Sequence, residues 1–211
     1  MSLLEITINQ ASTKFKSVCI NTLRLLTIGV GLYSIVFLFS DQIGSPEFHE
    51  KIARHPIYWS FHLIGGGISL IICTFLLIDY IRLNRLYLHR LLGRIYVITV
   101  FLSALSGFRL SFETEAGLPS NLGLATLSIC WLIATFNGFR FAVAKQIESH
   151  RLWMMRSFAL TISAVFFRLD LALMSTFINA SFLEIYATVS WHSWVCTLIV
   201  VEWFFIRKNH N

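Results

Sequence analysis

The chain has 211 residues, of which 56% are hydrophobic and 13% charged, and it carries a formal charge of +6 at neutral pH. Soluble domains hold roughly 25% charged residues, so composition excludes a water-soluble fold and places the apolar runs in lipid. The 17 lysines and arginines are parcelled between those runs instead of lining one solvated groove, which excludes a nucleic-acid interface.

Taken in chain order, the apolar runs predict six spans, near 19–40, 57–79, 95–112, 119–140, 157–178 and 185–206. The uncharged runs at 57–78 and 118–139 exceed the roughly 18 residues that cross a bilayer. They show no two-residue alternation, and in lipid each backbone group must be satisfied within its own segment. The expected fold is therefore all-α: a polytopic membrane helix bundle of six transmembrane helices, with a cytoplasmic segment at 1–18, the transmembrane domain at 19–206 and a tail at 207–211. The N-terminus lacks a short apolar stretch followed by a small-residue cleavage site, so it is expected to be retained. In the connection at 41–56, Gly44, Ser45, Pro46 and Pro56 predict turns.

Orientation follows from the basic residues near span ends. Lys14, Lys16 and Arg24 precede or open the first span. Arg82, Arg85, Arg90 and Arg94 precede the third, Arg140, Lys145, Arg151 and Arg156 the fifth, and Arg207 and Lys208 follow the sixth. The other side collects Asp41, Glu47, Glu50, Glu113, Glu115 and Glu184, with Lys51 and Arg54 as its loop cations. Both termini are expected in the cytoplasm of a bacterium, with the protein multi-pass in its inner membrane.

Two segments repeat one opening: "YLHRLLGRIY" before the third span and "ESHRLWMMRS" before the fifth. Arg90, Arg94, Arg151, Trp153 and Arg156 form a cytoplasmic-interface motif, where arginines snorkel to phosphates and Trp153 joins the interfacial belt. Aligning the two His-Arg pairs also brings Arg109 and Arg168 to corresponding far ends, a faint internal echo.

Inside the spans, ionisable side chains cost about 2.5–3.5 kcal/mol on insertion scales and point to function. Arg109, Arg168 and Asp170 are candidates for a substrate or proton path. The four span histidines sort into two depths. His62 and His192 lie about 8 and 10 Å inside one end of their helices, at 1.5 Å per residue, while His89 and His150 lie at the cytoplasmic end. Imidazoles on facing helices are what bis-histidine haem needs, so His62, His89, His150 and His192 are candidate ligands of haem b. "HLIGGGIS" adds a small-residue face that a flat cofactor or another helix could approach. The ordinary alternative for each histidine is a hydrogen-bonded packing role. Cys19, Cys73, Cys130 and Cys196 show no C-x-x-C spacing, which argues against a disulfide framework, a zinc knuckle and covalent haem attachment. His49, Glu50 and His55 read as solvated loop residues.

Three readings stay open: a transmembrane electron-transfer protein with haem b and a redox partner, a transporter or binding protein for a small anionic solute or lipid headgroup, and an assembly subunit that binds another membrane subunit.

"HRLLGRIY", "SHRLWMMRSFALT", "FFRLDLAL" and "SWHSWVCTLIVVEWFFIR" together resemble a widespread group of prokaryotic multispan membrane proteins with a domain of unknown function. The likeness runs from about His62 to Arg207. It implies a bacterial membrane protein, and recurring positions at His62, His89, Arg90, Gly93, Arg94, His150, Arg151, Trp153, Met154, Arg156, Ser157, Arg168, Trp194 and Glu202. No activity comes with it.

Overall fold

The computed structural model describes residues 3–40 and 42–207. Asp41 and Lys208, counted above among the flanking charges, lie outside the described residues, as does the side chain of Lys16. The described residues form helices and no strand.

Six helices are long and apolar enough to cross a membrane. They are α1 (Leu3–Leu38), α3 (Pro56–Leu76), α5 (Leu86–Leu110), α6 (Gly117–Val143), α7 (Ile147–Phe177) and α8 (Phe182–Val201). Two short helices, α2 (Pro46–Arg54) and α4 (Asp79–Asn84), lie in connections. A 3-10 turn, Ser111–Glu113, follows α5, and a π-helical turn, Glu202–Ile206, extends α8.

Two boundaries differ from the sequence reading. The third and fifth helices begin at Leu86 and Ile147, about two turns or more before the apolar runs do. Hydropathy marks where lipid begins, whereas a helix continues as long as its carbonyls accept from N–H groups a turn further on. The backbone N–H of His89 donates to Arg85 and that of His150 to Gln146, both at 2.9 Å, so the two His-Arg pairs sit in first helical turns. The connection read as turns contains α2. Ser45 caps it by accepting from the Phe48 N–H at 3.3 Å, with Pro46 in the first turn. Phe48 then packs edge-on between Phe37 and Trp59, anchoring α2 to α1 and α3.

In the bundle α3 lies between α1 and α5, and α6 packs on α5, α7 and α8. The consecutive glycines of α3 serve both neighbours. A Cβ on Gly65 would come 2.9 Å from the Thr99 carbonyl of α5, and one on Gly67 would come 2.6 Å from the Gly31 carbonyl of α1. That face is therefore filled by helices. Large apolar side chains such as Leu25, Ile98, Leu105, Phe136 and Ile199 point outward, as a lipid-facing surface requires. Besides the Tyr96 phenol and the Trp131 and Trp194 indoles, the buried polar side chains among the described residues are serines and threonines. Such hydroxyls satisfy one another or the preceding turn's carbonyls, so they join helices without placing charge in the interior.

Candidate functional site

Helices α5 and α7 both run away from the arginine-rich end of the bundle, so they are parallel. His89 is the fourth residue of α5 and His150 the fourth of α7. Seven residues beyond each histidine stand Tyr96 and Ser157. Seven residues are close to two turns, or about 10 Å of rise, so each histidine shares a stripe with its partner two turns on. Those stripes meet. The Tyr96 phenol lies 2.7 Å from the Ser157 hydroxyl and 2.6 Å from that of Thr161. Thr135 of α6 reaches Ser157 at 2.7 Å, and Trp131 donates to Thr161 at 3.0 Å. Tyr96 is wholly buried. Five side chains thus form a closed hydroxyl and indole network over α5, α6 and α7.

At the arginine-rich end of the same stripes, His150 lies within electrostatic reach of His89. The His150 Nδ1 is 2.8 Å from the Gly138 carbonyl of α6. A carbonyl only accepts, so Nδ1 carries the hydrogen and Nε2 is left with its lone pair. The missing Cβ of Gly138 also lets Met154 of α7 close in, since a Cβ there would meet its sulfur. The His89 Nδ1 is buried with no hydrogen-bond partner. One turn along from His89, a Cβ added at Gly93 would meet nothing within 4 Å, so the stripe is open beside the imidazole. Arg90, Arg94 and Arg151 are exposed around this end and make no side-chain hydrogen bond or ion pair among the described residues.

Arg156, placed with these arginines by sequence, is engaged. It forks onto Glu202, with Nε and a terminal nitrogen each 2.9 Å from a carboxylate oxygen. Its guanidinium also lies 4.9 Å from the centre of the Trp153 ring. This clamp fastens α7 to the π-helical turn that ends α8.

The remaining candidates are dispersed. His62 donates from Nδ1 to the Ser103 carbonyl of α5 at 3.1 Å, and the Ser103 hydroxyl returns a bond to the His62 carbonyl at 3.0 Å. His192 pairs through Nδ1 with Asp170 at 2.9 Å. His62 is thus held in the α3–α5 pair and His192 in the α7–α8 pair. Arg168 turns the other way from Asp170, as two residues on a helix must. It bonds the Ala164 carbonyl at 2.8 Å and lies 3.4 Å from the Ser34 hydroxyl of α1. No carboxylate among the described residues is within ion-pair distance of Arg168. Arg109 donates to Glu113 at 2.6 Å, beneath a surface cluster in which Lys51 meets Glu115 at 2.8 Å and His55 approaches Glu113 at 3.4 Å. His49 is occupied by two backbone carbonyls and stacks on Phe37. No group of three or more metal-ligating side chains gathers among the described residues.

Sequence reasoning passed over Tyr96, Trp131, Thr135 and Thr161 as components of a site. The available signal was the equal spacing from each histidine to the last residue of its motif.

A family described as "predicted membrane protein (DUF2306)" matches residues 59–205, which takes in both His-Arg motifs, the hydroxyl network and Glu202. No curated protein and no solved structure matches. With most of its length matched and six helices able to span a bilayer, the chain belongs to this family of membrane proteins of unknown function.

Proposed function

We propose that the protein is a b-type haem protein in which His89 and His150 hold one haem at the arginine-rich end of α5 and α7. The carrying observation is register: two histidines at the same position of parallel helices, on stripes joined two turns further on by Tyr96 and Ser157. Three features support the fit. The Gly138 carbonyl orients the His150 ring and leaves Nε2 as a ligand atom, the arrangement usual for metal-binding histidine. A buried, unpartnered His89 nitrogen and the gap at Gly93 leave the facing side unfilled. Arg90, Arg94 and Arg151 offer planar forks that match the geometry of two propionates.

Haem, when bound, supplies a one-electron couple. The chain's own residues do the rest. His150 and His89 bind, Gly138 fixes a tautomer, and the hydroxyl network closes the floor against water. By the positive-inside rule the arginine-rich end faces the cytoplasm, so the couple exchanges electrons at the inner face of a bacterial cytoplasmic membrane, with a redox partner there. Haem-supplemented expression, purification in detergent and a pyridine haemochrome assay test this. About one haem per chain is expected, lost in His150→Ala and kept in His62→Ala and His192→Ala. Protein without haem under these conditions refutes the reading.

A further inference from the structure

Between α7 and α8, on the flank turned toward α1, runs a groove of about 390 Å³ that no part of the haem reading uses. Its α7 wall extends from Asp170 to Met155, and its other wall from His192 in α8 to Phe205 in the π-helical turn. Fifteen residues of helix separate Asp170 from Met155, about 22 Å at 1.5 Å per residue, so the space is long and thin. Apolar side chains line most of it. The His192–Asp170 pair stands at one end, with Ser193 and Cys196 beside it.

Depth decides what such a groove can hold. His192 lies ten residues into α8 and Asp170 seven residues before the end of α7, that is, about 15 and 10 Å in from the helix ends. The hydrocarbon core is about 30 Å thick, so the pair lies within it, below the headgroup level on the side opposite the arginine-rich end. A phospholipid headgroup carries charge and stays at the interface, which excludes it from this end of the groove. The ligand must have an uncharged, hydrogen-bonding head that can enter hydrocarbon and a long apolar tail.

The pair is built to meet such a head. The Asp170 carboxylate accepts from His192 Nδ1 and fixes the ring, leaving Nε2 without a hydrogen-bond partner. Asp170 is the more sheltered partner, with 18% of its side chain exposed against 46% for His192, so the imidazole is the accessible group. Nε2 accepts from a hydroxyl when neutral and donates to a carbonyl when protonated. A molecule that presents both forms in turn is an isoprenoid quinone and its quinol.

We infer that the α7–α8 groove binds an isoprenoid quinone or quinol, its ring oxygen hydrogen-bonded to His192 Nε2, its tail along the apolar slot, with Asp170 as the positioning residue. This does not depend on haem at His89 and His150.

The test uses the full chain in phosphatidylcholine nanodiscs, titrated with decyl-ubiquinone and read by quenching of tryptophan fluorescence, with Trp191 and Trp194 flanking His192 in α8. Saturable quenching above that of simple partitioning is expected, weakened at least tenfold in His192→Leu and unaltered in His62→Leu. Cys196→Phe fills the slot one turn from His192 while keeping the pair, and is expected to weaken binding as strongly. Monodisperse behaviour of each variant on size exclusion establishes that it folds. In Asp170→Asn the quinone affinity should fall, and Asp170→Glu, which keeps a carboxylate for His192 Nδ1, should retain more of it, a ranking that loss of packing alone does not give. Quenching without saturation overturns the inference. So does equal affinity in folded His192→Leu and Cys196→Phe, or native mass spectrometry showing a phospholipid that decyl-ubiquinone does not displace.

Discussion

The Tyr96 phenol and the Ser157 hydroxyl, 61 residues apart in sequence, lie 2.7 Å apart at the centre of the bundle. They are the last residues of the two His-Arg motifs, so one hydrogen bond sets the relative height and rotation of α5 and α7. The stripes that carry His89 and His150 toward the arginine-rich end meet at that contact.

Tyr96→Phe removes the phenolic oxygen while keeping the ring that packs edge-on against Phe158. Ser157 and Thr161 retain Thr135 and Trp131 as partners and are not left unsatisfied, so the loss should be about 0.5–1.5 kcal/mol, the net contribution of a hydrogen bond. A lowered melting temperature in detergent checks this. An unchanged melt would mean that the network does not hold the helices.

Arg156 and Glu202 form a two-pronged pair whose side chains are only 25% and 37% exposed. Partial solvent screening reduces the value of such a pair below that of a buried one, so a double-mutant cycle with Arg156→Met and Glu202→Gln should return a coupling of about 1–2 kcal/mol. Arg156→Lys, which cannot fork, is expected to resemble Arg156→Met more than wild type. Additive single effects would contradict the clamp.

Gly67→Leu should separate α1 from α3, because even a Cβ there falls 2.6 Å from a backbone carbonyl that cannot move alone. The melting temperature in detergent should fall in the variant, and an unchanged melt would contradict the close α1–α3 contact. Gly93→Ala, whose new methyl meets open space, serves as the harmless control for this contact.

The Glu115 carboxyl is held below its ordinary value of 4.5, first by the hydrogen bond from Lys51 and then by that ammonium's charge. Its folded pKa lies below its unfolded one, so the stabilisation is complete above the unfolded carboxylate range and disappears as pH falls through the depressed value. Hydrogen-exchange protection factors in α2, which carries Lys51, should therefore fall in acid and become less pH-dependent in Lys51→Met. Equal pH profiles would show that the cluster does not fasten α2.

Depth was legible in the sequence, and azimuth was not. Apolar runs of spanning length marked all six helices, two of them without a charge, and the two His-Arg openings marked equal heights on the third and fifth. Which neighbour each side chain meets depends on the order of helices around the bundle, and hydropathy carries no information about that order. For that reason His62 and His192, read at similar depths, are bonded in different helix pairs, and Glu202 belongs to Arg156. The hydroxyl network was obscured for a related reason: serine and threonine in an apolar run resemble neutral filler until their partners on other helices are known. Ser45 and Pro46 carried the signal for α2, since a cap and a first-turn proline also begin a turn.

The reduced-minus-oxidised optical spectrum of the purified protein, taken beside those of His89→Ala, His150→Ala and His62→Ala, tests the haem assignment most directly. The account predicts the sharp bands of a six-coordinate low-spin b haem in wild type and in His62→Ala, and their collapse in the other two. Bands that survive both His89→Ala and His150→Ala, or that disappear only in His62→Ala, would contradict it.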